Sequence, residues 1–120
     1  PLSRRMYAGG DVLLMPSRYE PCGIAQMISM LYGCIPVACS TGGLKDTIKD
    51  PFEHPTDYTG FLFSNPDVSA AEWAIRRSIA YYQDQQNWSQ IQIRAMKQDF
   101  SWRNSAKEYF DLYKSLQICE

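Results

Sequence analysis

Charge of one sign is what this sequence most plainly lacks: 12 Lys and Arg face 13 Asp and Glu, a net of −1 at pH 7. A surface so balanced offers no field to draw in nucleic acid or an anionic membrane as partner. No apolar run approaches the roughly 20 residues that cross a bilayer, and no signal-peptide pattern is visible. Histidine is nearly absent, with His54 alone, and the four cysteines (Cys22, Cys34, Cys39, Cys119) form no C-x-x-C pair. A zinc site is therefore not expected. There is no internal repeat and no low-complexity segment. An initiator methionine is lacking too, since the chain starts at Pro1 and residues 1–10 read as the end of a helix. The expectation is a piece of a longer protein.

What is present is ordinary globular material. The 120 residues, 45% hydrophobic and 21% charged, suffice for one small domain. Arg4 to Ala8 reads as a last helical turn stopped by Gly9-Gly10. Residues 11–15 form an apolar run closed by Pro16, as in a strand of a parallel sheet buried on both faces. Ile24, Met27, Ile28 and Leu31 follow at i, i+3, i+4 and i+7, one face of a helix ending at Gly33. Residues 35–39 repeat the buried-strand pattern, with Cys34 and Cys39 as small apolar neighbours. Thr41-Gly42-Gly43 is a tight turn into a short helix over 44–49. Residues 50–59 are a loop and 60–63 a third strand. Ser69 with Glu72 has capping-box spacing, ahead of a stripe of Ala71, Ile75, Ile79 and Tyr82. A helix over 88–97 turns Trp88, Ile91 and Ala95 inward. Ser101 starts a last one carrying Trp102, Ala106, Tyr109, Phe110 and Tyr113. Alternation of this kind predicts an α/β fold, a Rossmann-like parallel sheet with right-handed crossovers.

In such sheets ligands bind beyond the carboxyl ends of the strands. Two loops lie there, 16–23 and 40–43, and both lead into helices. A helix N-terminus carries unpaired N–H groups and partial positive charge, which suits phosphate. Gly42 and Gly43 permit positive φ and close approach of backbone. Taken alone, the pair is equally a plain strand–helix connection. Glu20 precedes a helix start, where a carboxylate is favoured by roughly 0.3–1 kcal/mol through the dipole. Pro21 and Gly23 fix the loop and open the backbone at Cys22 and Gly23, and a rigid carboxylate beside such amides can also hold vicinal hydroxyls of a sugar through charge-assisted hydrogen bonds.

The run Met15-Pro16-Ser17-Arg18-Tyr19-Glu20-Pro21-Cys22-Gly23-Ile24 resembles the glycogen/starch synthase family of retaining glycosyltransferases (family 5). So do Tyr32-Gly33, Pro36-Val37, Thr41-Gly42-Gly43-Leu44, Asp46-Thr47, Thr59-Gly60-Phe61 and Asp99-Phe100-Ser101-Trp102. The resemblance runs from about Tyr7 to Tyr113. It implies the latter part of the second domain of a GT-B glycosyltransferase. Residues 1–100 would be part of the sugar-nucleotide-binding domain, and 101–120 a helix packing toward an N-terminal domain not contained in the chain.

The activity implied is transfer of glucose from ADP-glucose or UDP-glucose to the non-reducing end of an α-1,4-glucan, with retention. No metal or other cofactor is implied. The partners are the sugar nucleotide and the glucan acceptor, the latter through the N-terminal domain. The setting is cytoplasmic, or plastidial in a plant or alga. By the resemblance Glu20 is catalytic, lying beside the donor glucose. Cys22, Gly23 and Ile24 face the sugar, and Thr41, Gly42, Gly43 and Leu44 serve the diphosphate. Arg18, Tyr19 and Gln26 are further candidates, and Gln26 matches the family pattern. Two positions depart from related patterns. Ala25 stands where the family usually has a small hydroxyl or amide residue. Ile28 stands where relatives outside the family carry a second glutamate, which favours the synthase branch. The alternatives are a non-catalytic module that binds sugar nucleotide, or another retaining GT-B glycosyltransferase.

Overall fold

The structure is a computed structural model that describes residues 2–116. Helix α1 (Leu2–Gly9) leads into strand β1 (Val12–Met15), helix α2 (Ala25–Leu31), strand β2 (Ile35–Cys39), short helix α3 (Gly42–Thr47) and strand β3 (Phe61–Phe63). Helices α4 (Val68–Gln83), α5 (Gln85–Met96) and α6 (Trp102–Leu116) complete the chain. The three strands form one parallel sheet in the order β1-β2-β3. Val12 to Met15 pair with Ile35 to Ala38, and Val37 to Cys39 pair with Phe61 to Phe63. This is the expected α/β alternation. The loops that begin at Pro16, Ser40 and Ser64 all leave from the same carboxyl edge.

The sheet is sealed on one side only. All five residues of β2 are buried. Phe61 stands edge-on to Tyr81, with ring centroids 5.2 Å apart, and parallel to Trp88 at 6.5 Å. Met30, Leu44, Ile48, Ala74, Ile91 and Ala95 close the cluster. Trp88, Ile91 and Ala95 thus face inward as their spacing predicts. Strand β1 does not meet its expectation. Val12 and Leu14 are 40% and 44% exposed, because β1 is a sheet edge and nothing in the described chain covers it. A pattern apolar on both faces records burial that requires a neighbour beyond that edge.

Two helices turn a different face inward from the one their apolar spacing suggests. In α2 the buried residues are Gln26, Ser29 and Met30, while Ile24 and Leu31 are exposed. In α4 the buried residues are Ala74 and Ser78, while Ile79 and Tyr82 are exposed. Met30 still carries α2 into the core, and in α4 Ala71 and Ile75 of the expected stripe pack against it while Ile79 and Tyr82 point away. The cap of α4 also shifts: Asp67, not Ser69, accepts the Ala70 N–H at 2.8 Å. Glu72 instead pairs with Arg76 at 2.7 Å, on the exposed face. Asp67 reaches the free N–H first because its carboxylate is already in extended backbone ahead of the helix.

Helix α6 buries no residue: Trp102, Tyr109, Phe110 and Tyr113 are all more than half exposed. Packing of this face into the described core is thereby excluded. The last four residues of the expected 101–120 segment, Cys119 among them, lie outside the described residues.

Candidate functional site

The two loops singled out in the sequence touch one another. The Gly43 N–H donates to both the Glu20 and Pro21 carbonyls, each at 3.2 Å. Gly42 has φ 43°, and a Cβ there would overlap the Glu20 carbonyl. A Cβ on Gly43 would overlap the Cys22 backbone. The two glycines are thus required by the approach of the 20–22 loop itself. Gly23, at φ 72°, turns the chain into α2. A side chain in this left-handed region would be strained, and at Gly23 it would also strike the Gln26 amide.

Gln26 is the second fastening. Its side chain is fully buried, and Nε2 reaches the Cys22 carbonyl at 3.2 Å, the Gly23 carbonyl at 3.0 Å and Thr47 Oγ1 at 3.1 Å. Thr47 Oγ1 in turn donates to the Gly43 carbonyl at 2.6 Å. One amide therefore ties the first loop to α3. Buried side chains of this kind position others, and the Gln26 Oε1 finds no partner among the described residues. Sequence reasoning missed this brace, although both Gln26 and Asp46-Thr47 matched the family pattern. Periodicity assigned the inward face of α2 to apolar residues.

The other candidates surround this junction. Glu20 is half-buried, its main chain held by Gly43, and Arg18 and Tyr19 are exposed, Tyr19 by 80%. Cys22 is an exposed free thiol whose hydrogen donates weakly to the Gly23 carbonyl at 3.6 Å, and Ile24 is 64% exposed. Thr41 precedes α3 in extended backbone, and its carbonyl accepts the Leu44 N–H at 3.1 Å. Leu44 is fully buried in the core. The N–H groups of Gly43 and Leu44 are therefore engaged within the chain. Gly42, exposed at the first position of α3, makes no such main-chain bond among the described residues. Cys39 ends β2 on the site's side and Cys34 precedes its opposite end; burial pushes both thiols up from their ordinary value, so both stay protonated and apolar.

A second polar cluster, which the sequence did not reveal, lies past β3. Asp50 is buried and accepts from the Phe52 N–H at 3.0 Å, the Leu62 N–H at 2.7 Å and Arg77 Nη2 at 2.8 Å. No motif marks it, because its partners come from three separate stretches of chain. Lys49 and Asp57 pair within the same loop, and the hydrogen bond from Lys49 holds the Asp57 carboxyl below its ordinary value.

The family model described as "Glycosyl transferases group 1" matches residues 3–94. The chain is 47% identical over 114 residues to glycogen synthase 2 of Geobacter sulfurreducens, covering 95% of this chain and 24% of that one. It is 50% identical over 115 residues to a glycogen synthase of Thermodesulfovibrio yellowstonii, covering 96% of this chain and 22% of that one. Among solved structures it superposes on the catalytic domain of starch synthase IV from Arabidopsis thaliana, bound to ADP and acarbose. There the TM-score is 0.86 at 40% identity, over 95% of this chain and 24% of that one. The chain spans about a quarter of the length of the curated relatives it matches. The fold is accordingly part of a GT-B catalytic domain, and the chain belongs to the group 1 glycosyl transferases.

Proposed function

We propose that this chain supplies the donor-side wall of a glucosyltransferase. The whole enzyme moves glucose from ADP-glucose, or UDP-glucose, to the 4-hydroxyl at the non-reducing end of an α-1,4-glucan with retention. The observation that carries this reading is the interlock of the 20–23 loop with α3 at the carboxyl edge of a parallel sheet. That edge is where this architecture takes its ligands. The likeness to a starch synthase bound to ADP and to relatives named glycogen synthase supports it.

In this reading the Glu20 carboxylate holds hydroxyls of the donor glucose, beside the Cys22, Gly23 and Ile24 main chain. Thr41 and the exposed Gly42 N–H face the diphosphate, and Arg18 and Tyr19 border the opening. Charge growing on the leaving diphosphate is met by oriented N–H groups, the mode of stabilisation that contributes most to many enzymes. No metal enters this scheme. The acceptor glucan approaches from the N-terminal domain of the whole enzyme, which works in the cytoplasm, or in the plastid of a plant or alga.

The test exchanges residues 7–113 for the corresponding segment of the Thermodesulfovibrio yellowstonii glycogen synthase and measures glucose transfer. Transfer is expected in the exchanged enzyme. Glu20→Gln in it is expected to lower kcat by roughly 10²–10³, the cost of losing one transition-state contact. An unchanged rate would remove Glu20 from the scheme.

A further inference from the structure

A cavity of about 360 Å³ opens beside β3, lined by Ser40 at the start of the 40–43 loop and by Phe52, Glu53, Ser64, Asn65, Trp73 and Arg77 among others. Its wall holds two aromatic rings in a fixed arrangement. Phe52 and Trp73 are parallel within 3°, with centroids 5.8 Å apart. The Arg77 guanidinium lies 4.4 Å from both centroids, and Asp50 anchors it at 2.8 and 3.0 Å. Asp50 also takes the Phe52 N–H, so ring, guanidinium and loop are locked together. Despite this, Phe52 is 73% and Trp73 47% exposed. One donor in the wall is unfilled, since Arg77 Nη1 is buried and finds no acceptor among the described residues. A lost partner at such a group is costly.

Rigid aromatic faces left in water beside a few polar groups are the makings of a ligand site. The chemistry selects the ligand. A pyranose presents an apolar C–H face that lies flat on aromatic rings, and its edge hydroxyls both donate and accept. Glu53, Ser64 and Asn65 stand exposed at the rim to receive them. An anionic ligand is disfavoured, because Asp50 and Glu53 share the wall and the guanidinium is already paired. We infer that the Phe52–Trp73 surface is a second carbohydrate site, lined by no residue of the 16–23 loop, which holds a neutral α-1,4-glucan chain on the protein. The choice of an α-1,4-glucan among oligosaccharides rests on the function proposed above.

The test is native gel electrophoresis of the 120-residue chain in gels with and without glycogen, with maltohexaose as soluble competitor. Glycogen is expected to retard the chain, and maltohexaose to release it. Phe52→Ala and Trp73→Ala are each expected to weaken retardation about tenfold, the size of a central contact residue's loss. Asn65→Ala, at the exposed rim, is expected to weaken it by a smaller factor. Trp102→Ala removes a tryptophan that is 85% exposed and lies outside this cavity, and retardation is expected to survive it. Far-UV circular dichroism identifies any variant that loses the fold. The inference is overturned if the unaltered chain is not retarded. It is equally overturned if folded Phe52→Ala and Asn65→Ala migrate like the parent, or if Trp102→Ala abolishes retardation as well. Release by cellohexaose as effective as by maltohexaose would overturn the α-glucan assignment. Glucose transfer does not enter this readout, so failure of the donor-site reading and failure of this one are told apart.

Discussion

The two edges of the sheet carry similar sequence and meet different fates. At the β3 edge, Phe61 and Phe63 disappear beneath α4 and α5, where Ile91 of α5 is buried with them. At the β1 edge, Val12 and Leu14 are just as apolar and remain exposed, as do Ile24 and Leu31 on the helix that follows. Apolar pattern states that a face wants cover; only chain that is present can provide it. The same contrast holds between helices. The 12 residues of α5 bury Trp88, Ile91 and Ala95, whereas the 15 of α6, with its row of aromatics, bury none. The described chain accordingly spans 57 × 31 × 29 Å rather than closing into a sphere.

Truncation on each side gives the sharpest test of this contrast. Ile91→Ala removes a fully buried side chain from the closed side and is expected to lower unfolding free energy by about 2–5 kcal/mol. Leu31→Ala, on the open side, is expected to change it by no more than about 0.5 kcal/mol. Urea denaturation of both variants decides, and equal losses would mean that the open face is covered in solution.

Glycine offers a finer comparison. Gly43→Ala drives a methyl into the Cys22 main chain and is expected to cost about 1–3 kcal/mol, with displacement of the 20–23 loop. Gly9→Ala meets open space at the end of α1 and is expected to be neutral or to stabilise by about 0.4–1 kcal/mol. Thermal melts of the two variants check the difference in sign.

The smallest effect concerns pH. The Asp57 carboxyl is held below its ordinary value by the Lys49 hydrogen bond, and the Asp99 carboxyl by the hydrogen bonds from Ser101. Both folded values are depressed. Their contribution is therefore complete above the unfolded carboxylate value of about 3.9, and it fades as pH falls through the lower folded value. Both groups are solvent-exposed, so the acid loss is expected to be slight and to shrink further in salt. Asp57→Asn should flatten the acid limb of stability against pH, and an unchanged limb would assign it to other carboxylates.

Much of this molecule is legible from residue order alone. Strand and helix types follow from local periodicity, and the Glu20-Pro21-Cys22-Gly23 and Thr41-Gly42-Gly43-Leu44 pair marks the family because both motifs are contiguous in the chain. Composition likewise rules out an excess of basic charge. What residue order could not disclose depends on partners distant in the chain. The inward face of α2 is set by Gln26 meeting Thr47, 21 residues on. The Asp50 cluster joins loop, strand and helix, with Arg77 27 residues away. The reason for Gly42 and Gly43 is likewise tertiary: no local rule says that another loop's carbonyls will lie against them. Periodicity reports what a segment would bury, and only the packed structure decides against what, because burial and hydrogen bonding are properties of pairs of surfaces rather than of one stretch of chain.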